Sequence, residues 1–297
     1  MRTSVRLSVF ALGLVVVFAA ATALGRWIGP EPAPPPATAA EHGGSSAHGD
    51  SAGRGDAGEE AHTVPAGLQT VEDGYRLEPL SPTLSTTVPQ PFRFRILGPD
   101  GGSLTRYTTD HEKDLHLIVV RRDLSGFRHV HPEFGPDGVW AIPLAVAAPG
   151  QYRVFADFVP AGRPDGLTLG VDVPAPGEYR PVALPRPAHT TNVDGYTVTL
   201  SGELRPGTTS TVTVAVSRNG KPVTDLQPYL GSAGHLVALR DGDLAYLHVH
   251  PERASGSGVT FAAEVPSDGT FRLFFDFRHG DVVRTAEFTA TTSGSHR

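Results

Sequence analysis

No cysteine occurs among the 297 residues, and the single methionine is the first residue. That absence excludes a disulfide framework, an iron–sulfur cluster and any thiolate metal site. An ion held by this chain must rest on imidazole and oxygen, donors that suit Cu(II), Zn(II) or Ni(II) better than Cu(I). Basic clusters are missing as well. Lysine and arginine number 25 against 31 acidic residues, for a formal charge of -6, and the basic side chains are scattered. Nucleic acid, which needs a concentrated positive surface, is therefore not an expected partner. Long amphipathic helical patterns are absent too.

What is present is punctuation. The 34 Gly and 27 Pro separate short runs of Val, Thr, Phe and Leu, the pattern of many strands joined by turns. The length predicts two domains. At the N-terminus Arg2 and Arg6 precede an uncharged, mostly apolar run from Leu7 to Gly25, closed by Arg26 and Trp27. Such a run is long enough to span a bilayer, and the preceding positive charge predicts a body outside the cytoplasm. Ala21-Thr22-Ala23 also offers a signal-peptidase site, so residues 1–29 read as a membrane anchor or a cleaved signal peptide. Residues 30–69, rich in Pro, Ala, Gly and Ser, read as a disordered linker carrying His42, His48 and His62 among acidic residues.

An internal repeat is the strongest signal. The stretch from His116 through His129-Val130-His131-Pro132 recurs from His235 through His248-Val249-His250-Pro251 at an offset of 119 residues. The same offset relates Phe155-Ala156-Asp157-Phe158 to Phe274-Phe275-Asp276-Phe277, and Asp73-Gly74-Tyr75 matches Asp194-Gly195-Tyr196 two residues out of step. A period this long means tandem domains. The first is expected over 70–183 and the second over 184–292, each an all-β, immunoglobulin-like sandwich of about seven short strands.

Strand geometry gives the histidines a meaning. Side chains two apart share a face, so His129 and His131 point one way, as do His248 and His250. Asp241-Gly242 is a tight-hairpin signal that predicts His235 opposite His248 and, by the repeat, His116 opposite His129. Three imidazoles per copy would then converge on one divalent ion, with Asp157 and Asp276 completing each site or holding a ring N–H. The expected metal ligands are thus His116, His129, His131 and Asp157 in one copy, and His235, His248, His250 and Asp276 in the other. Ordinary imidazoles would lose the ion below about pH 6. His111 and His279 have no histidine counterpart in the other copy; His111 reads as a loop residue and His279 as an extra ligand or an exposed residue. The competing readings are histidines bonded to backbone in a non-enzymatic extracellular scaffold and, less favoured, a cupin-like enzyme. For a cupin, Glu133 and Glu252 follow the His-x-His too closely.

The segments LHLIVVRRDLSGFRHVHPEF, YRVFADFVPAG and GHLVALRDGDLAYLHVHPE resemble a group of secreted or membrane-anchored actinobacterial proteins. They are similar in kind to the YtkA-like and copper-resistance β-sandwich families associated with heavy metals. The resemblance implies copper; the binding reading itself has copper or zinc buffered or delivered outside the cell, with the identity of any metal-handling protein partner left open. It departs from the copper-resistance pattern in one respect: those proteins use a free N-terminal amine as a ligand, and no such group lies near the repeats.

Overall fold

The structure is a computed structural model that describes residues 64–247, 249–255 and 258–293. The expected anchor, most of the expected linker, and His248 lie outside the described residues. Among the described residues every regular element is a strand, and no helix is long and apolar enough to cross a membrane. In the first repeat β1 is Val71–Glu72, β2 Tyr75–Pro79, β3 Gln90–Leu97, β4 Tyr107–Thr108, β5 His116–Arg121, β6 Arg128–Val130, β7 Glu133–Phe134, β8 Trp140–Leu144, β9 Gly150–Pro160 and β10 Leu167–Ala175. In the second, β11 is Thr190–Val193, β12 Tyr196–Ser201, β13 Thr208–Arg218, β14 Lys221–Pro222, β15 His235–Arg240, β16 Tyr246–Leu247, β17 Val249–Ser255, β18 Gly258–Val265, β19 Thr270–His279 and β20 Val282–Thr291.

Each repeat is an antiparallel sandwich. Sheet β1-β2-β3-β8-β7 faces sheet β10-β9-β5-β6 in the first, and β11-β12-β13-β18-β17 faces β16-β15-β19-β20 in the second. Leu117, Val119, Tyr152, Val154 and Ala156 fill the first core. Leu236, Ala238, Phe271, Leu273, Phe275 and Phe277 fill the second. The alternate residues of the same strands form a third core: Ile118, Val120, Leu124 and Phe155 pack against Val237, Leu239, Leu244, Tyr246 and Phe274. The two sandwiches are therefore stacked through their β5 and β15 sheets, with Phe127 and Phe274 parallel at 3.9 Å across the seam. This explains why β5 and β15 read as unbroken apolar runs instead of alternating: both faces are covered.

Turn chemistry sets the registers. Asp73-Gly74 and Asp194-Gly195 both adopt positive φ and close two-residue hairpins, β1 to β2 and β11 to β12, as an Asp-Gly pair favours. Asp241-Gly242 does not. There the Arg240 guanidinium donates to Asp243, whose carboxylate also accepts the Ala245 N–H, and Arg240 N–H bonds to the Ala245 carbonyl. The loop is widened to 241–244, so Leu239 opposes Tyr246 and the predicted pairing of His235 with His248 is two residues out. The first repeat uses the same clamp, Arg121 on Asp123, but places an extra residue, Gly126, after a shorter loop. The two irregularities cancel in length, so the copies align at one offset while their turns differ. Opposed pairs are Ile118 with His129 and Leu117 with Val130, which corrects the expected opposition of His116 to His129. The slip is an even number of residues, so the shared face survives.

At the His-x-His motifs the chain leaves its sheet, after His131 in the first repeat and by Val249, inside the motif, in the second. The strands expected over Phe127 to His131 and Tyr246 to His250 each break, and β7 and β17 pair with β8 and β18 on the outer sheets. Pro132 lacks the N–H a continuing ladder needs, whereas Pro251 lies inside β17, opposite Phe261 and beside a register shift. Residues 64–69, the end of the stretch read as linker, are bonded into the body. Gly67 N–H bonds to the Thr168 carbonyl and Tyr246 N–H to the Ala66 carbonyl, while Arg153 donates to the carbonyls of Gly67 and Leu68.

Candidate metal centre

The centre grows from one row of side chains across a sheet. Thr168 on β10 opposes Asp157 on β9, which opposes His116 on β5. One pair past Leu117 and Val130 lies His131, while His129 stands beside Ile118 on the same face. This face is the one covered by the second repeat. Three nitrogens meet there: His116 Nδ1 lies 3.1 Å from His129 Nε2 and 3.2 Å from His131 Nε2. A tetrahedral ion with Zn–N near 2.0–2.1 Å holds its ligand nitrogens about 3.3 Å apart, so the three are already at ligand spacing. The ring centroids form a nearly equilateral triangle of 5.3, 5.0 and 5.0 Å.

The other ring nitrogens fix the tautomers. His116 Nε2 sits 3.2 Å from the Asp110 carbonyl, which can only accept, so this nitrogen carries the proton and Nδ1 presents a lone pair. His129 Nδ1 donates to Asp276 Oδ2 at 3.0 Å, from a side chain 4% exposed, which leaves Nε2 as the inward lone pair in the neutral ring. Two lone pairs thus face one another at 3.1 Å, an arrangement that is repulsive until a cation, metal or proton, enters between them. Burial, with the neighbouring His129 charge second, lowers His116 to about 3 and also His131 to about 3. Both are neutral and ready to coordinate at ordinary pH.

Asp276 comes from the other repeat. Its second oxygen accepts the Thr285 hydroxyl at 2.5 Å, so the carboxylate is aimed from both sides. Sequence reasoning paired each aspartate with the histidines of its own copy; the face-to-face stacking gives His129 to Asp276 instead. Asp157 receives the Thr168 hydroxyl at 3.1 Å and is half-buried. His235 opposes Asp276, is 9% exposed, and donates through Nε2 to the Leu230 carbonyl at 3.1 Å, as His116 does to Asp110. His250 is exposed. His116, His129, Asp157, His235 and His250 all line a cleft of about 820 Å³ at the seam, which gives ions a way in. His111, read as a loop residue, occupies the turn before β5 but packs edge-on against His235 at 5.0 Å. His279, read as an extra ligand or an exposed residue, is bonded to Tyr196 Oη at 2.6 Å and lies 3.3 Å from Asp225, away from the seam.

A family model described as a domain of unknown function, DUF8832, matches the chain twice, over residues 69–175 and 191–294. No curated protein matches the sequence. Among solved structures, the chain is similar over 75% of its length, at 14% identity and a TM-score of 0.25, to the Escherichia coli adhesin FdeC, of which it spans 65%. It is similar over 76% of its length, at 11% identity and a TM-score of 0.22, to domains 4 and 5 of the S-layer protein SbsC, spanning 100% of that chain. A third similarity, over 73% of the chain at 11% identity and a TM-score of 0.21, is to the D0-D1 domain of Intimin, spanning 97% of it. Likenesses of this strength carry no message about function. The likeness to YtkA-like and copper-resistance domains rests on the quoted residues alone.

Proposed function

We propose, for a chain that belongs to the DUF8832 family and carries that domain of unknown function twice, a binding role without catalysis: the stacked sandwiches hold one divalent transition-metal ion. His116 Nδ1, His129 Nε2 and His131 Nε2 are its ligands, and Asp276 holds the His129 ring. The observation that carries this reading is the pair of lone pairs facing at 3.1 Å, with both outer nitrogens committed elsewhere. An equilateral set of three imidazoles suits Zn(II) better than the tetragonal geometry of Cu(II). Export and membrane tethering, argued from residues 1–29, would set this function outside the cytoplasm, where the protein buffers zinc or copper or passes it to a partner.

A second reading is an extracellular scaffold whose histidines only fasten the seam. It is favoured by the Asp276 bond to His129, which joins the two repeats with no ion needed, a single proton between His116 and His129 relieving the lone pairs. Equilibrium dialysis of protein purified without a histidine tag separates the two. We expect one Zn(II) retained per chain, with affinity reduced at least about 100-fold in His131→Ala. No retention by the wild-type protein at micromolar Zn(II) leaves the scaffold reading.

A further inference from the structure

The three-histidine set leaves a tetrahedral ion one ligand short, and the residue placed to supply it belongs to the other repeat. His235 holds the position in the second repeat that His116 holds in the first. Its ring lies nearly parallel to that of His116, at 28° and 6.2 Å, and 6.1 Å from that of His129. Nε2 is committed to the Leu230 carbonyl, so Nδ1 is the nitrogen His235 has for a metal. Ring centroids of imidazoles on one tetrahedral ion stand about 5.2 Å apart, against which the His235 ring is about 1 Å too far from those of His116 and His129. The seam, not the ring, must close that gap: the Leu230 turn and β15 fix the ring within its own sandwich.

We infer that His235 is the fourth ligand, so that one ion is shared between the two repeats and draws them together on binding. The inference rests on the three-histidine reading above. A fourth protein ligand would make this a closed site of the kind that stabilises structure, whereas three ligands and an open position belong to sites that exchange solvent or substrate. Two features of the seam agree with closure. Asp276, which opposes His235 on the neighbouring strand, already reaches across to His129. His111 packs against His235 from the first repeat at 5.0 Å, so the ring is flanked by the same sandwich that carries the other ligands.

The test uses the untagged full chain loaded with Zn(II), in wild-type, His131→Ala and His235→Ala forms. X-ray absorption of the wild-type zinc complex should count four imidazole nitrogens and no bound oxygen. His235→Ala should retain Zn(II) with about 10- to 100-fold weaker affinity and three nitrogens plus an oxygen. Three nitrogens and an oxygen in the wild type, or unchanged affinity in His235→Ala, would overturn the shared ion while leaving the three-histidine centre intact. Two ions per wild-type chain would overturn it too, because each repeat would then hold its own. Loss of zinc binding from the wild type itself sinks the three-histidine reading and this inference with it. The wild-type ligand count decides the matter if the variant fails to fold.

Discussion

A neutral histidine has one nitrogen to give and one to receive with, and at His116 and His129 the protein has spent the giving nitrogen on Asp110 and Asp276. The sequence offered Asp276 as a holder of a ring N–H, but in its own copy, and it gave no sign of the Asp110 carbonyl. The buried rings also resist protonation, with His116 and His131 lowered to about 3 and His235 to about 4, desolvation being the largest cause in each. The folded pKa lies below the unfolded value of 6.5. Between the two, the unfolded chain binds protons that the folded chain refuses, so the stability these groups contribute is complete above pH 6.5 and is lost as pH falls toward 3–4. For His116, 8% exposed, the ceiling is about 1.4 kcal/mol per pH unit; half-buried His131 adds less through solvent screening. Urea midpoints of the metal-free protein should drop between pH 7 and 4.5, and His116→Gln should flatten that slope. Equal slopes in the two proteins would contradict the account. Burial also moves the acid limit of coordination by these two rings below the pH 6 expected of ordinary imidazoles.

Among the elements, the turns and the segment 64–70, a strap bonded along β10, carry the lesson. Asp-Gly pairs close the two-residue hairpins that such pairs favour at Asp73 and Asp194. At Asp241 the Arg240–Asp243 pair outbids local preference, because one carboxylate satisfies both a guanidinium and a backbone N–H. The β10 strand went unread because Gly170 and Pro174 interrupt its pattern. Gly170 is there for the strap: a Cβ at that position would stand 2.0 Å from the Gly67 carbonyl oxygen. Gly170→Ala should therefore push residues 64–70 off β10, costing about 1–3 kcal/mol. Limited proteolysis should then find a new cut in that segment. A melting temperature within a degree of the wild type, with no new cut, would show that the strap yields freely.

For the molecule as a whole, the seam is as much a core as either sandwich interior. Phe274→Ala removes a ring that is fully buried against Phe127 and should cost about 3–5 kcal/mol, as an interior phenylalanine does. It should also weaken Zn(II) binding, because Asp276 and His235 reach the first repeat only while the seam is closed. Calorimetry with and without zinc measures both effects. At a free zinc concentration of 100 times Kd, stability should rise by about 2.7 kcal/mol, and both repeats should melt in one transition. A variant that unfolds in two steps yet binds zinc as tightly as the wild type would disconnect seam from site.

Periodicity and repetition in the chain itself determined that there are two β-sandwiches, because strand and turn preferences are local and the copies carry them twice. They also determined that His129 and His131 share a face, by parity along one strand; His116 joins them because the turn departs from the expected register by an even number of residues. Which face, and what meets it, only the tertiary structure decided. The pairing of His129 with Asp276 spans 147 residues and arises from two apolar sheet surfaces burying each other. Burial of that kind is non-directional, so residue spacing does not encode which aspartate it delivers to which histidine.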